Sequence, residues 1–209
     1  MPLFNQINLS PTTHLYLWKI TEELPQLYEN AILNEVSLLR LDAMKSEAHK
    51  RGFIAVRMLL QSIGYNDFDL FYDSNGKPHL KDGKHISISH SGDFSAIVIS
   101  EEEVGLDLER LKSKILKIAF RYMEVSHLEG LNETEQIKKA TVIWGIKESI
   151  FKIKNEQGIS FLDHIFEDPF TFDEKQAYAT LVYNNQIEKF SIQFNLVEDY
   201  IFVCAFQIH

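Results

Sequence analysis

Residues 144–152 read Trp-Gly-Ile-Lys-Glu-Ser-Ile-Phe-Lys and lie in a run of helix-forming sequence. Because residues three and four apart share one side of a helix, this run predicts an apolar face that carries one carboxylate, Glu148. The residues of that face are Ile137, Ala140, Thr141, Trp144, Glu148 and Phe151. We expect Glu148 to point toward the protein interior, where a carboxylate is destabilising unless a cation meets it.

Lys152 follows Glu148 by four residues, so its ammonium group leans over the same surface of the predicted helix. One interpretation is an internal Glu-Lys pair, which is the commonest outcome of this spacing. The other is a site for charged ligands, in which the carboxylate meets a metal ion and the lysine meets an anion. The spacing alone leaves both interpretations open.

A second acidic cluster lies in Val104-Gly105-Leu106-Asp107-Leu108-Glu109. The alternation predicts a strand with apolar residues on one face and with Asp107 and Glu109 roughly 7 Å apart on the other. Such a polar face is often simply solvated. Together with Glu148, however, it supplies three oxygen ligands, which suit magnesium because this hard cation keeps waters and bridges to phosphate.

Composition limits the classes of partner. The chain has 209 residues, of which 45% are hydrophobic, and a formal net charge of -9, so it is globular and poorly suited to bind nucleic acid or an anionic membrane nonspecifically. Cys204 is the one cysteine and lies in an apolar run, which predicts a buried, inert thiol. With neither a signal-like N-terminus nor a run of 18 apolar residues, the sequence predicts a soluble, cytoplasmic protein.

The first half of the chain, residues 1–103, alternates between strand and helix patterns. Its helical part carries the densest positive charge of the chain, including Lys45, Lys50, Arg51 and Arg57, which could meet an anion. The predicted elements are a strand at 14–20, helices ending near Gly64, a short strand at 68–72, a turn at 73–78, and a hairpin formed by 85–89 and 94–100.

The second half, residues 104–209, repeats this order. The acidic strand is followed by helical sequence to about Lys154 and by strand patterns at 176–183, 187–196 and 200–208. We therefore predict an α+β fold of two similar halves, each with helices packed on a three-stranded antiparallel sheet. The repeat is one of architecture, since the halves share no residue-level identity, and it predicts a monomer with internal pseudo-twofold symmetry.

Four motifs occur in an order that resembles a known family. They are Gly76-Lys77-Pro78, Ile88-Ser89-His90-Ser91, Gly105-Leu106-Asp107-Leu108-Glu109 and Trp144-x-x-Lys147-Glu148-Ser149-x-x-Lys152. In this order and spacing they resemble the 4'-phosphopantetheinyl transferases of the larger, surfactin-synthetase-activating class. The resemblance is clearest from about Lys45 to Gly158. It implies a magnesium-dependent enzyme that moves phosphopantetheine from coenzyme A to a serine of an apo acyl or peptidyl carrier protein and releases 3',5'-ADP.

The resemblance also implies roles for individual residues. Asp107, Glu109 and Glu148 would be the magnesium ligands, and Lys152 and Lys147 would neutralise phosphate oxygens. Glu148 is the first candidate for the base that takes the serine proton, and Glu124, in Phe120-x-x-x-Glu124, is the second. The residues implied for coenzyme A are Ser89 and His90 at the nucleotide's phosphates, Gly76, Lys77 and Pro78 on the adenine side, and one of Lys45, Lys50 and Arg51 at the 3'-phosphate.

The sequence departs from the family pattern at Gly145, where Ser, Thr or Ala is usual and where glycine costs a helix up to about 1 kcal/mol. Two other functions remain open. A magnesium-dependent hydrolase of nucleotide pyrophosphates would need the same carboxylates and lysines but no carrier. A non-catalytic module that binds coenzyme A or a carrier would have no need of Asp107, Glu109, Glu148 and Lys152 together.

Overall fold

The computed structural model describes residues 3–208. The chain divides into two compact units, one that ends at Glu102 and one that begins at Glu103. Both units combine helices with antiparallel strands, which confirms the predicted mixed α and β character of the fold.

The first unit is built on a four-stranded antiparallel sheet with the order β1-β2-β6-β5 and a separate two-stranded ladder, β3-β4. Three helices accompany them, and the long α3 packs with the sheet around an apolar core. The elements are β1 (Asn5–Ser10), β2 (Thr13–Lys19), α1 (Leu24–Asn30), α2 (Glu35–Ala43), α3 (Glu47–Ser62), β3 (Leu70–Tyr72), β4 (Pro78–Leu80), β5 (His85–Ser91) and β6 (Phe94–Ser100).

A buried ion pair fixes α3 in this unit. Arg57 donates from Nε to Asp67 Oδ1 over 3.0 Å, and both side chains are almost fully buried. The guanidinium also lies over the ring of Phe53, 3.5 Å from its centroid. Arg57 is therefore structural, which corrects the expectation that it was free to meet an anion with its basic neighbours.

The second unit is built on a five-stranded antiparallel sheet with the order β7-β11-β10-β9-β8. A single long helix, α4, packs across it around a second apolar core. The elements are β7 (Val104–Arg110), α4 (Glu133–Lys154), α5 (Phe161–His164), β8 (Ile165–Glu167), β9 (Gln176–Tyr183), β10 (Gln186–Val197) and β11 (Tyr200–Ile208).

The predicted three-stranded sheets are wrong in strand number. In the first unit, β1 adds an edge strand to β2 where the sequence suggested only a polar lead. In the second unit, the three-residue β8 pairs with β9, and β7 joins β11 instead of standing apart. Residues 111–132 also differ from the predicted continuous helix, because they form three short 3-10 turns at Ser113–Lys117, Ala119–Arg121 and Val125–Leu128.

The ends of α4 follow from its sequence. Asn132 accepts from the backbone N–H of Glu135, and Glu135 in turn accepts from the N–H of Asn132, so two free donors of the first turn are satisfied. Asn155 ends the helix in the left-handed conformation with a φ of 50°. Among residues 3–208, this helix and the others are too short or too polar to cross a membrane.

The predicted core face of α4 is wrong in part. Ala140 and Thr141 are buried as predicted, but Trp144, Glu148 and Phe151 are only half-buried. The core is formed by six positions of the helix, of which only Ala140 was predicted. These are Ala140, Val142, Ile143, Ile146, Ile150 and Ile153. The helix is covered on two sides, by the sheet and by Ala119, Tyr122, Met123 and Leu128 of the 3-10 segment, so its apolar surface is wider than one stripe.

Candidate active site

The residues of β7 alternate between two faces as predicted, and the acidic face lies against α4. Asp107 pairs across the ladder with Val203, and Glu109 with Ile201. Directly opposed residues share one face of a sheet, and Val203 and Ile201 belong to the core under α4. Asp107 and Glu109 therefore project on the helix side, where Asp107 is buried, at 5% exposure, and Glu109 is half-buried.

Gly105 allows the strand and the helix to approach at backbone distance. A Cβ on Gly105 would stand 1.9 Å from the carbonyl oxygen of Ser149 and 2.7 Å from its carbonyl carbon. No side chain fits in that space, and the obstacle is backbone that cannot swing away. Glycine at this position is what brings the acidic strand directly under the helix that carries Glu148.

Gly145 has a similar effect one turn earlier on α4. A Cβ there would stand 2.4 Å from Cγ2 of Val203. The departure from the usual family residue thus has a local cause, because the valine of β11 fills the space that a helix side chain would take. Ser149 also links the helix to the sheet by hydrogen bonding. Its hydroxyl donates toward two carbonyl oxygens, Gly145 O at 2.6 Å on the helix and Val203 O at 3.0 Å on the sheet.

Lys152 reaches from α4 to β7. Its Nζ donates to Leu106 O at 2.6 Å and to Asp107 Oδ1 at 3.0 Å, and its side chain is 28% exposed. The cation of the helix therefore meets the carboxylate of the strand. The structure thus gives Lys152 a carboxylate partner on the strand, Asp107, while its contact with phosphate stays a prediction.

Glu148 lies within the electrostatic reach of both strand carboxylates. Burial, the charge of Asp107 and the charge of Glu109 raise the pKa of Glu148 from 4.5 to about 6, and the nearby Lys152 opposes this shift. Three carboxylates thus share one region with one ammonium. Their excess negative charge is what a divalent cation would neutralise.

The donor set fits magnesium in kind, since all three groups offer carboxylate oxygens and none offers sulfur or imidazole. Across residues 3–208, no three acidic, imidazole or thiol side chains stand together in an arrangement that already encloses a metal ion. In this conformation Asp107 Oδ1 is bonded to Lys152 instead. Magnesium binding by Asp107, Glu109 and Glu148 therefore stays a prediction, one that the chemistry of the site supports.

Lys147 lies apart from this group, which corrects its assignment to phosphate. Its ammonium is 2% exposed and donates to the carbonyl of Ile165 and to Glu167 Oε2, the latter at 2.5 Å. Burial lowers the pKa of Lys147, and the charge of Glu167 opposes that shift. Because neighbouring residues of a helix point about 100° apart, Lys147 and Glu148 face different surroundings.

Glu124, the second candidate for the base, lines a cavity of about 220 Å³ on the Lys147 side of α4. Its polar neighbours there are His127 and Glu167, which are joined by a contact of 3.1 Å between Nδ1 and Oε1. No local sequence pattern indicates this cluster, because Glu167 lies on a three-residue edge strand and His127 in a 3-10 turn. The role of Glu124 stays a prediction.

The basic residues of the first unit lie at and before the start of α3. Lys45 is exposed, and Lys50 and Arg51 are half-buried on the first turns of the helix. The Nε atom of Arg51 is buried and has no hydrogen-bond partner within residues 3–208. A buried guanidinium donor is costly to leave unsatisfied, so Arg51 is the strongest of the three candidates for an anion.

The turn that contains Gly76, Lys77 and Pro78 is held by Asp73. Its Oδ1 accepts from the backbone N–H groups of Asn75 at 2.8 Å and Lys77 at 2.9 Å. Gly76 takes a φ of +82°, which favours glycine, and Pro78 begins β4. The predicted turn is confirmed, whereas its predicted contact with adenine stays a prediction.

Ser89 and His90 lie near the end of β5, as predicted. Ser89 is buried and His90 is exposed, so the alternation of the strand turns them to opposite sides. The ring of His90 lies 6.0 Å from that of His49 on α3, centroid to centroid. The sequence did not single out His49, since a lone histidine on a helix carries no specific signal.

The second unit is similar to known proteins. Residues 103–205 match the model of the 4'-phosphopantetheinyl transferase superfamily. The 4'-phosphopantetheinyl transferase gsp of Aneurinibacillus migulanus is 28% identical over 141 residues, which cover 65% of this chain and 57% of that protein. The 4'-phosphopantetheinyl transferase Sfp of Bacillus subtilis is 30% identical over 118 residues, 52% of this chain and 53% of that protein.

A putative 4'-phosphopantetheinyl transferase of Synechocystis is 29% identical over 147 residues, 62% of this chain and 59% of that protein. The chain thus spans little more than half the length of these relatives. The region matched by the family model contains the acidic strand, α4 and all four of Asp107, Glu109, Glu148 and Lys152. Over residues 103–205, the chain is therefore similar to the 4'-phosphopantetheinyl transferase superfamily.

Proposed function

We propose that the protein transfers the 4'-phosphopantetheine of coenzyme A to a serine of an apo acyl or peptidyl carrier protein, in a magnesium-dependent reaction. The serine oxygen would bond to the β-phosphorus of coenzyme A, and the bond from that phosphorus to the bridging oxygen would break. The products would be the holo-carrier and 3',5'-ADP, and the serine proton would pass to a carboxylate.

The observation that carries the proposal is that β7 and α4 bring four charged side chains into one region. They are Asp107, Glu109, Glu148 and Lys152. Phosphoryl transfer needs positioning and charge neutralisation more than covalent catalysis. When bound, magnesium would supply charge neutralisation at the pyrophosphate. The three carboxylates would hold the metal, Lys152 would neutralise a phosphate oxygen, and Glu148, with Glu124 as second candidate, would take the serine proton.

Coenzyme A has further proposed partners in the first unit. Arg51, with Lys45 and Lys50 as alternatives, would bind the 3'-phosphate, and its unsatisfied Nε supports this choice. Ser89 and His90 would contact the nucleotide's phosphates, and the turn of Gly76, Lys77 and Pro78 would lie against adenine. Both units combine a strand, a packed helix and antiparallel strands, which supports the proposed architectural repeat.

The test is a carrier mass-shift assay. Protein, magnesium and coenzyme A are incubated with apo-carriers of the fatty-acid, polyketide and peptide-synthetase types from the same cell, whose cytoplasm we propose as the site of the reaction. We expect one phosphopantetheine to be added per carrier and one 3',5'-ADP to be released. A fall of about 10²-fold or more for Asp107→Ala, with the fold intact, would support the assigned role of this carboxylate.

Omitting the carrier separates the alternatives. Rapid release of 3',5'-ADP from coenzyme A and magnesium alone would favour a pyrophosphate hydrolase. Binding of coenzyme A or of a carrier without turnover, under conditions in which a known transferase modifies the same carrier, would favour a binding module. The match to the transferase superfamily favours transfer over both.

A further inference from the structure

The helix α3 carries a glycine directly under the imidazole of His90. A Cβ built on Gly52 would stand 3.3 Å from Cγ and 3.4 Å from Nδ1 of His90. Gly52 lies in the interior of a 16-residue helix and is buried. It has no positive φ, so the helix does not need glycine at this position for conformational reasons. Alanine would favour the helix, because glycine is a much poorer helix former than alanine.

The same glycine is the point at which the hairpin of β5 and β6 is tied to the helix. Ser95 is fully buried, and its Oγ donates to Gly52 O at 3.1 Å. His90 and Ser95 are directly opposed across the ladder, so both side chains leave the sheet on the side of α3. The Ser95 hydroxyl is hydrogen-bonded to the carbonyl of Gly52, and the imidazole of His90 packs against the helix backbone beside it.

We infer that Gly52 is a positioning residue for coenzyme A binding, because its missing side chain sets where the imidazole of His90 lies. The inference rests on the proposed function, in which His90 contacts the phosphates of the nucleotide. A hydrogen bond to a charged oxygen depends on the position of the ring nitrogen to within a few tenths of an ångström. A methyl group on Gly52 would displace the ring by about that amount.

Such a displacement would not unfold the protein. The obstacle to a larger residue at position 52 is an exposed side chain, unlike the backbone that faces Gly105. A larger residue at position 52 should therefore move the ring, keep the helix and weaken the binding of coenzyme A. Helix stability and ligand affinity would change in opposite directions, which a general packing defect does not produce.

The experiment is a series, Gly52→Ala, Gly52→Ser and Gly52→Val, made both in the natural protein and in a His90→Ala background. The measurements are the affinity for coenzyme A without carrier, by calorimetry, the KM and kcat of carrier modification, and the melting temperature. Calorimetry isolates coenzyme A binding from the carrier. The alanine and serine variants keep the test informative if the β-branched valine lowers stability.

We expect affinity for coenzyme A to fall about 3-fold for Gly52→Ala and about 10-fold for Gly52→Val, with kcat and the KM for the carrier nearly unchanged. Gly52→Ala should melt at or above the temperature of the natural protein. In the His90→Ala background, the substitutions at position 52 should have no further effect on affinity.

Two results would overturn the inference, and they are distinguishable. Equal losses with and without His90 would show that Gly52 acts by another route, while the proposed function stands. Unchanged affinity for coenzyme A in His90→Ala alone would remove the nucleotide role of His90 itself, and with it the basis of the inference.

Discussion

At Glu148, burial and two neighbouring carboxylates together favour the neutral form of the side chain, and Lys152 opposes them. The carboxylate is half-buried beside two others, and its pKa is raised to about 6. A folded state with the higher pKa binds more protons than the unfolded chain between pH 4.5 and 6, so the free energy of unfolding falls as pH rises through that window. Above it, the ionised carboxylate costs the ligand-free protein about 1–2 kcal/mol.

Glu148→Gln should therefore raise the melting temperature of the ligand-free protein at pH 8 by a few degrees and change it little at pH 4.5. The variant should lose most of the stabilisation that magnesium plus coenzyme A gives, and it should transfer at least about 10²-fold more slowly. Melts across this pH range, with and without both ligands, together with the carrier mass-shift assay, check all three. A variant that melts far lower yet still modifies its carrier would make Glu148 structural.

Arg51 can be tested through the 3'-phosphate alone. Arg51→Met removes the guanidinium whose Nε is buried. We expect the binding free energy of coenzyme A to weaken by about 1–3 kcal/mol, which is typical of a lost hydrogen bond to a charge. Dephospho-coenzyme A lacks the 3'-phosphate, so its use should barely change. The measurement is the affinity of each variant for both compounds.

Lys45→Met is the matched control, because Lys45 is exposed on the same basic segment. A selective loss in Lys45→Met but not in Arg51→Met would move the phosphate contact to the lysine. Equal losses on both compounds would place the mutated residue elsewhere in the nucleotide site.

Lys147 shows a limit of assigning residue roles from a family motif. The sequence placed Lys147 and Lys152 together because both fall in one motif. The structure separates them, since Lys147 is enclosed with Glu167 and Ile165 whereas Lys152 reaches Asp107. The partner of Lys147 comes from an edge strand 20 residues later in the chain, and no local pattern indicates that pairing.

At the scale of elements, the docking of α4 on β7 and β11 depends on two glycines. Gly145→Ala should destabilise the protein by about 1–3 kcal/mol, because overpacking against Val203 outweighs the gain in helix propensity. In the double variant with Val203→Ala, the added methyl group occupies the space that the valine leaves. The double variant should therefore be more stable than the sum of the two single effects predicts.

Denaturant melts of the two single variants and the double variant measure this coupling, and strict additivity would contradict it. Gly105→Ala is the contrasting case. Its obstacle is the carbonyl of Ser149 at 1.9 Å, which no side-chain substitution removes. We expect that variant not to reach the native fold, and recovery of its stability by Val203→Ala would count against the assignment of the clash to backbone.

The helix α4 illustrates what the spacing of apolar residues in a sequence can and cannot predict. The existence of the helix and its end near Lys154 were predicted from the sequence, and both are confirmed. Its buried surface was assigned correctly at Ala140 and Thr141 only, because a helix covered on two sides also buries residues such as Val142 and Ile146 that do not fall on one stripe. For β7, the alternation of apolar and polar residues was sufficient to assign each residue to a face, because a strand has only two faces.

At the scale of the whole molecule, the sequence predicted the mixed fold and the order of the long strands. It missed β1, β4 and β8, all of which are short or polar edge strands whose pairing depends on the partner strand more than on their own residues. The acidic cluster was predictable because its motifs are local. The cavity beside Lys147 was not, because it draws on three separate segments.

The interior position of β11 in its sheet has a consequence for how opening of the second unit can be followed. Cys204 is the one thiol of the chain and is fully buried on this strand, between β7 and β10. Burial raises its pKa well above the usual value, so the native thiol is both hidden and unreactive. A disulfide reagent should label it only in molecules whose sheet has opened.

The labelling rate of Cys204 therefore reports how often the sheet opens, and no engineered cysteine is needed. When opening and closing are fast relative to labelling, this rate gives the free energy of the opening reaction. We expect bound magnesium and coenzyme A to slow labelling in proportion to the stability they add. Rapid labelling under native conditions, unaffected by ligands, would instead reveal a local fraying of β11 that the packed sheet does not predict.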